Sequence, residues 1–544
     1  MIYTKEVLEP IKHYYYPQDC EPDNREKLSA AYDELEKAEP RNARELMSLL
    51  YQSSELMSII IQRHNELSFR VMQNTTDLEA RNALEKFIRD VSPYAGARDR
   101  GLLRKYYENP LRQLINQDYF KQLNIFVESL FNDTGIAESG LHFEQQRIVN
   151  IYRDKINQFR FQFDGSSYLF RDAKGLLANP DPDFRHRVWE ARKAALISEK
   201  DDLHSMFSEL TANRMQWVQI SKSKNYFETA YSAGITSSFA YEDFKQILPR
   251  IKKHLKPVIA DIYRRFQKAS GLKQLAPWDN ILAPAQNLLK PFSSPEDLIS
   301  KTIAILCDIR IEYGVLVNKM WNTGLLDLEA RPHKAAGQFF FADSKYGTCR
   351  VLMNCTGTHE NLSMFFHEIG HVLQMTAMMK NPLFTYITIP LDTREISSQL
   401  MVYLSSKYWN DFYPDKSILK SAISYQIEDD LLLLYQSLCS AEFQMQLYDN
   451  PDLTPAQREE CFLSFYKDYY PFFRQADYDE YIRAMWLEDL AVFEYPFYSV
   501  FTSLSLFAVW QTYRSFRRAP DETVQRFQNF LSKATEYDVY QLYE

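Results

Sequence analysis

The chain has 544 residues, with 63 Lys and Arg against 72 Asp and Glu, for a net charge of −9; that balance argues against nucleic acid as the main partner. Only 14 glycines occur, against about 38 at average usage, which disfavours a turn-rich β-sandwich and favours a helical protein. Six cysteines make no Cys-x-x-Cys pair and no zinc-finger spacing, and so sparse a set in a large chain fits reduced thiols.

The first ten residues have neither a basic start nor an apolar core, so they do not read as a signal peptide. The most apolar C-terminal run, residues 497–510, is too short to cross a bilayer. The expectation is a cytoplasmic protein with no membrane partner.

In chain order, residues 22–38 read as a helix with apolar Leu28, Tyr32 and Leu35. A longer helix spans 41–72, with Leu46, Leu49, Leu50, Leu56, Ile59 and Ile60 at helical period. Asn74-Thr75-Thr76-Asp77 supplies turn and cap chemistry before a third helix, which should end near Ser92-Pro93. Residues 101–133 look helical again, broken at Asn109-Pro110. Alternation over 158–163, followed by Asp164-Gly165, predicts a small hairpin. Helices resume over 183–197 and 200–221. The basic run Lys252-Lys253-His254-Leu255-Lys256 reads as the solvated face of a helix. Residues around Pro277-Trp278-Asp279 are irregular, and Ser294-Pro295 starts a helical stretch that reaches about Trp321. No repeat or low-complexity linker divides the chain, so the boundaries are soft: an N-terminal helical region 1–140, a helical middle region 141–320 and a catalytic region 321–544.

The last region carries the chemistry. Residues 337–342 and 349–354 form a second predicted hairpin around Asp343-Ser344-Lys345-Tyr346-Gly347. A strand edge there could hold an extended peptide by backbone hydrogen bonds, or the hairpin could be purely structural. A few residues on comes His367-Glu368-Ile369-Gly370-His371. Two histidines four apart share a helix face, so each can give a nitrogen to one Zn²⁺. Glu368 beside them is placed to act as a general base. With ten histidines in the chain, a chance match has odds of roughly one in a hundred.

A catalytic zinc site needs a third protein ligand, and no histidine follows His371. The metal helix should end around Lys380-Asn381-Pro382, and a second helix begins near Asp392-Thr393-Arg394-Glu395. Glu395 is the candidate ligand. Asp392-x-x-Glu395 is equally a capping box, in which Glu395 folds back on the N–H of Asp392. Local sequence leaves both open.

His367-Glu368-Ile369-Gly370-His371 with Glu395 24 residues after His371 resembles the thimet oligopeptidase family of zinc peptidases, closest to its oligoendopeptidase F branch. Supporting similarities run from about residue 145 onward and include Phe163-Asp164-Gly165, Asn179-Pro180-Asp181, Lys224-Asn225-Tyr226, Ala276-Pro277-Trp278-Asp279, Asn354-Cys355-Thr356-Gly357-Thr358 and Pro496-Phe497-Tyr498. The resemblance implies a mainly α fold, with two helical lobes enclosing a deep channel and a small β-hairpin or sheet beside the zinc helix. It further implies one Zn²⁺ per chain on His367, His371 and Glu395, with Glu368 as base and short unfolded peptides as substrates. Tyr498 becomes a candidate for stabilising the transition state, although a Tyr in so aromatic a segment can equally be packing.

The chain also departs from that pattern. Ala491 stands where the family usually carries a histidine, Thr502 replaces a tyrosine and Val402 a glutamate. Losing one donor to a tetrahedral oxyanion typically costs about 10²–10³ in rate. The expected function is therefore a zinc endopeptidase, the alternative being a zinc-containing peptide-binding relative with little or no activity.

Overall fold

Side-chain caps set where the first helices begin. Asn24 accepts from the backbone N–H of Lys27 ahead of α1 (Arg25–Lys37), Asn42 from Glu45 ahead of α2 (Ala43–Gln73), and Asp77 from Ala80 ahead of α3 (Leu78–Asp90). The computed structural model describes residues 5–533 apart from 18–19, 132–134, 232–239, 280–288, 388–390 and 475–476. Among these the chain is mostly helical with two small sheets, as its composition and resemblance predict.

The periodic apolar residues of the first two helices are the buried ones. Leu28, Tyr32 and Leu35 of α1 meet Leu49, Leu56 and Ile60 of α2 in one cluster with Phe87 and Leu102. α3 ends at Asp90, near Ser92-Pro93 as expected, but the next helix begins at once rather than near residue 101: Pro93 lies in the first turn of α4 (Ser92–Glu108), where its missing N–H has no intrahelical partner to lose.

The first hairpin forms as predicted, β1 (Arg160–Phe163) against β2 (Ser166–Leu169), with Asp164 and Gly165 both at positive φ in the turn. The basic run in the Tyr241–Ser270 helix is not simply solvated. Lys252 pairs with Glu442 and Asp468 and lies over the Tyr469 ring, and Lys256 also pairs with Asp468. The acidic partners come from helices about two hundred residues later, which local charge pattern does not reveal.

The second sheet has three strands where the sequence predicts two. β4 (Gln338–Asp343) and β5 (Thr348–Cys355) are the expected antiparallel hairpin, and β3 (Leu326–Glu329) adds in parallel to give the order β3-β5-β4. The Lys334 amine is enclosed beneath the sheet, with the Asp327 carboxylate at 2.8 Å and the carbonyls of Asp327, Glu329 and Met353 at 3.0, 2.8 and 2.7 Å. Helix α2 is hydrogen-bonded to this sheet and the loop beside it. Asn65 donates to the Ala342 carbonyl at 2.8 Å, Gln73 to Asp327 at 2.9 Å, and Ala335 N–H to the Met72 carbonyl at 2.8 Å. The N-terminal helices are thus held directly on the strands that lead into the site.

Candidate metal centre

Strand β5 leads into a tight turn and then a helix, and each step is dictated locally. Gly357 has φ +81°, and a Cβ there would press on the Phe292 carbonyl oxygen. Thr358 then caps the His359–Met378 helix by accepting from Asn361 N–H, while the Asn361 side chain accepts from Thr356 and Thr358. Phe365, Phe366, Ile369, Val372 and Leu373 bury one side of this helix in the main core. His367 and His371 remain together on another face, their ring centroids 4.8 Å apart. The Phe340 ring of β4 lies 5.7 Å from that of His371.

A second helix, Leu391–Ser406, crosses this one. Any side chain on Gly370 would collide with the Ser397 carbonyl and the Ser398 Cα, so glycine permits the close crossing. The crossing brings Glu395 to the histidines: its Oε2 is 3.3 Å from His367 Nε2 and 3.5 Å from His371 Nε2. The three candidate ligand atoms lie within 4.8 Å of one another. Tetrahedral ligands at Zn–N and Zn–O distances of about 2.0–2.1 Å are separated by about 3.3 Å, so the donors present fit Zn²⁺ in kind and spacing. Of the two roles the sequence leaves open for Glu395, this carboxylate geometry favours ligation over folding back as a cap. The side chain of the proposed cap, Asp392, lies outside the described residues.

The electrostatics follow from that arrangement. Burial alone would raise the Glu395 carboxyl, but hydrogen bonds and charge from His367 and His371 outweigh it and hold the group well below its usual range. For His367, burial opposes the proton and the Glu395 carboxylate overrides it, so its pKa is raised. Glu368 is buried next to the pair, and burial raises its carboxyl despite the two imidazoles. An upward shift favours a carboxyl that can both take and return a proton.

Sequence reasoning brings His367, Glu368, His371 and Glu395 to one place, and Tyr498 to their edge. Tyr498 heads the Tyr498–Phe516 helix, and its hydroxyl donates to Glu395 Oε1 at 3.2 Å. Two neighbours were missed. Ser398 donates to Glu395 Oε2 at 3.2 Å; it sits one turn after Glu395, where helical spacing could have pointed to it. Asp430, in the Lys416–Asp449 helix, accepts from Tyr403 at 2.6 Å and Gln426 at 3.2 Å. Burial raises its carboxyl to about 7, and His367 is among the groups that act on it. Nothing near Asp430 in sequence marks it. The three departures are filled by packing or local bonding: Val402 is buried in the core, the Thr502 hydroxyl donates to the Tyr498 carbonyl, and Ala491 sits in a short helix capped by Asp489.

The comparisons with known proteins bear on the family and the fold. The Peptidase family M3 model matches residues 175–532, about two thirds of the chain. Among curated relatives, the group B oligopeptidase PepB of Streptococcus agalactiae serotype III (strain NEM316) is 20% identical over 224 residues, 41% of this chain and 36% of that protein. The chromosomal oligoendopeptidase F of Lactococcus lactis subsp. cremoris is 24% identical over 214 residues, 38% of this chain and 35% of that one. The matched part is thus little more than a third of each relative's length. Solved structures align almost throughout. PZ peptidase A with inhibitor 2 superposes with TM-score 0.82 at 20% identity, over 98% of this chain and 93% of that one. A putative oligoendopeptidase F from Bacillus anthracis str. Ames gives 0.77 at 19%, over 99% and 94%. These likenesses show a shared fold, and the family match covers both helices that carry the candidate ligands. The chain belongs to peptidase family M3.

Proposed function

We propose that the protein is a zinc-dependent endopeptidase acting on short unfolded peptides. The observation that carries this reading is the convergence of His367 Nε2, His371 Nε2 and Glu395 Oε2 with the buried Glu368 carboxylate beside them. Family membership supports peptide-bond hydrolysis; the zinc identity, the endo mode and the short substrates are expectations from the resemblance. His367, His371 and Glu395 would hold the ion, which when bound supplies Lewis acidity that brings a water pKa down towards about 7. Glu368 takes a proton from the attacking water and delivers it to the leaving amine, a transfer worth about 10²–10⁴ in rate. Among the described residues β4 is an edge strand, and the part of its edge not bonded to Asn65 is the natural place for an extended substrate, since a strand edge offers alternating donors and acceptors. Helical lobes around a channel would admit only flexible chains. Among the described residues no helix is long and apolar enough to cross a membrane.

A second reading has an observation in its favour. Ala491 has no donor, the Thr502 hydroxyl is turned onto a backbone carbonyl, and the Tyr498 hydroxyl is bonded to Glu395. A site short of oxyanion donors suits a zinc-containing peptide binder with weak activity. Digestion of a mixed peptide library by the purified chain, read by mass spectrometry with and without chelator, separates the two. Chelator-sensitive internal cleavage that Glu368→Gln abolishes supports the endopeptidase; zinc-dependent peptide binding without cleavage supports the binder.

A further inference from the structure

Tyr498 is held in place by an unusual amount of structure. Phe497 before it has φ +64°, a left-handed conformation that is strained for a bulky aromatic and persists only where its surroundings impose it. Those surroundings are visible. Phe497 N–H donates to the buried Gln444 side chain at 2.8 Å, and the Tyr231 hydroxyl donates to the Pro496 carbonyl. Just upstream, the buried Arg214 guanidinium donates to the carbonyls of Val492 and Phe493. Downstream, Gln399 of the Leu391–Ser406 helix donates to the Thr502 carbonyl at 3.2 Å and accepts from Ser505 at 2.9 Å. The helix that carries Tyr498 is thereby fastened to the helix that carries Glu395.

The outcome of this bracing is a division of labour on one carboxylate. Glu395 Oε2 faces both histidine Nε2 atoms and also accepts from Ser398, while Oε1 accepts from the Tyr498 hydroxyl. A free carboxylate can rotate and offer either oxygen or both. One whose Oε1 is tied to a fixed hydroxyl is restrained in rotation, which keeps Oε2 turned towards the two imidazoles.

We infer that Tyr498 is a positioning residue of the metal centre, whose hydroxyl restrains the Glu395 carboxylate with Oε2 turned towards His367 and His371, rather than a donor to the transition state. This rests on the zinc reading of the site. Outer groups of this kind typically govern metal affinity by about 10–100-fold.

The test is zinc affinity, measured by competition with a chromophoric chelator for wild type and Tyr498→Phe, alongside kcat at saturating zinc. Expected is roughly tenfold or greater weakening of zinc binding, with a smaller loss in kcat. Unchanged zinc affinity with kcat down about 10²–10³ would make Tyr498 an oxyanion donor and overturn the inference. Wild type that binds no zinc would refute the metal reading itself, a separate result. Phenylalanine keeps the ring and its packing. If that variant still fails to fold, Gln399→Leu, which loosens the two helices from each other, must weaken zinc binding in the same direction, and unchanged affinity there overturns the inference.

Discussion

Gly370 and Ser397 meet where the two ligand-bearing helices cross, and a Cβ on Gly370 would run into the Ser397 carbonyl. The spacing of the two helices, and so the reach of Glu395 to the histidines, depends on that missing side chain. Gly370→Ala should destabilise the fold by about 1–3 kcal/mol through overpacking and weaken zinc binding more than tenfold. Thermal melts with and without zinc check both; a variant with wild-type melting and zinc-induced stabilisation would show that the helices can part without consequence.

Glu368 is buried beside the histidines but is not among the residues that would hold the ion. Glu368→Gln should retain zinc at wild-type stoichiometry while kcat falls by about 10²–10⁴. Metal analysis and peptide cleavage on one preparation decide this, and wild-type turnover by the variant would remove Glu368 from the chemistry.

A pH effect arises far from the site. Asp99 is buried between α1 and α4, bonded to the Tyr32 hydroxyl at 2.9 Å, and burial raises its carboxyl to about 7. Its folded pKa lies above its unfolded value, so the native state binds the extra proton. Its contribution is full below about pH 4 and is lost as pH rises through about 7. Asp99→Asn should therefore melt higher than wild type above pH 7, by something on the order of 2 kcal/mol, with the advantage shrinking at pH 5. A constant difference across that range would show that Asp99 does not titrate there.

Lys334 and Asp327 form an enclosed ion pair beneath β3 and β5. Lys334→Met leaves Asp327 with Arg331 and Gln73 but removes the amine that three carbonyls surround. A loss of about 3–5 kcal/mol is expected from stranding those groups. Denaturant unfolding measures it, and a loss below about 1 kcal/mol would mean the sheet repacks or hydrates freely.

Legibility in the sequence followed the range of the interactions. Leu28, Tyr32 and Leu35 were readable because helical period and burial are the same fact seen twice. His367 and His371 were readable because one helix turn places them, whereas local sequence left Glu395 open between ligand and cap and only the family resemblance favoured the ligand. The strand Leu326–Glu329 was not readable, since four alternating residues are too few to stand out and their partner lies more than twenty residues later. Asp430 and the partners of Lys252 were hidden for the same reason: helices distant in sequence supply them. Tyr498 was visible as a residue, but its bond to Glu395 depends on a backbone conformation at Phe497 that no propensity favours.

The account stands on three side chains forming one zinc site. Metal content of the full chain purified without added zinc, compared with Glu395→Ala, tests it most directly. The prediction is about one zinc per wild-type chain and a small fraction of that in the variant. Wild-type protein free of zinc that also fails to take it up, or a Glu395→Ala variant that keeps it stoichiometrically, would contradict the account.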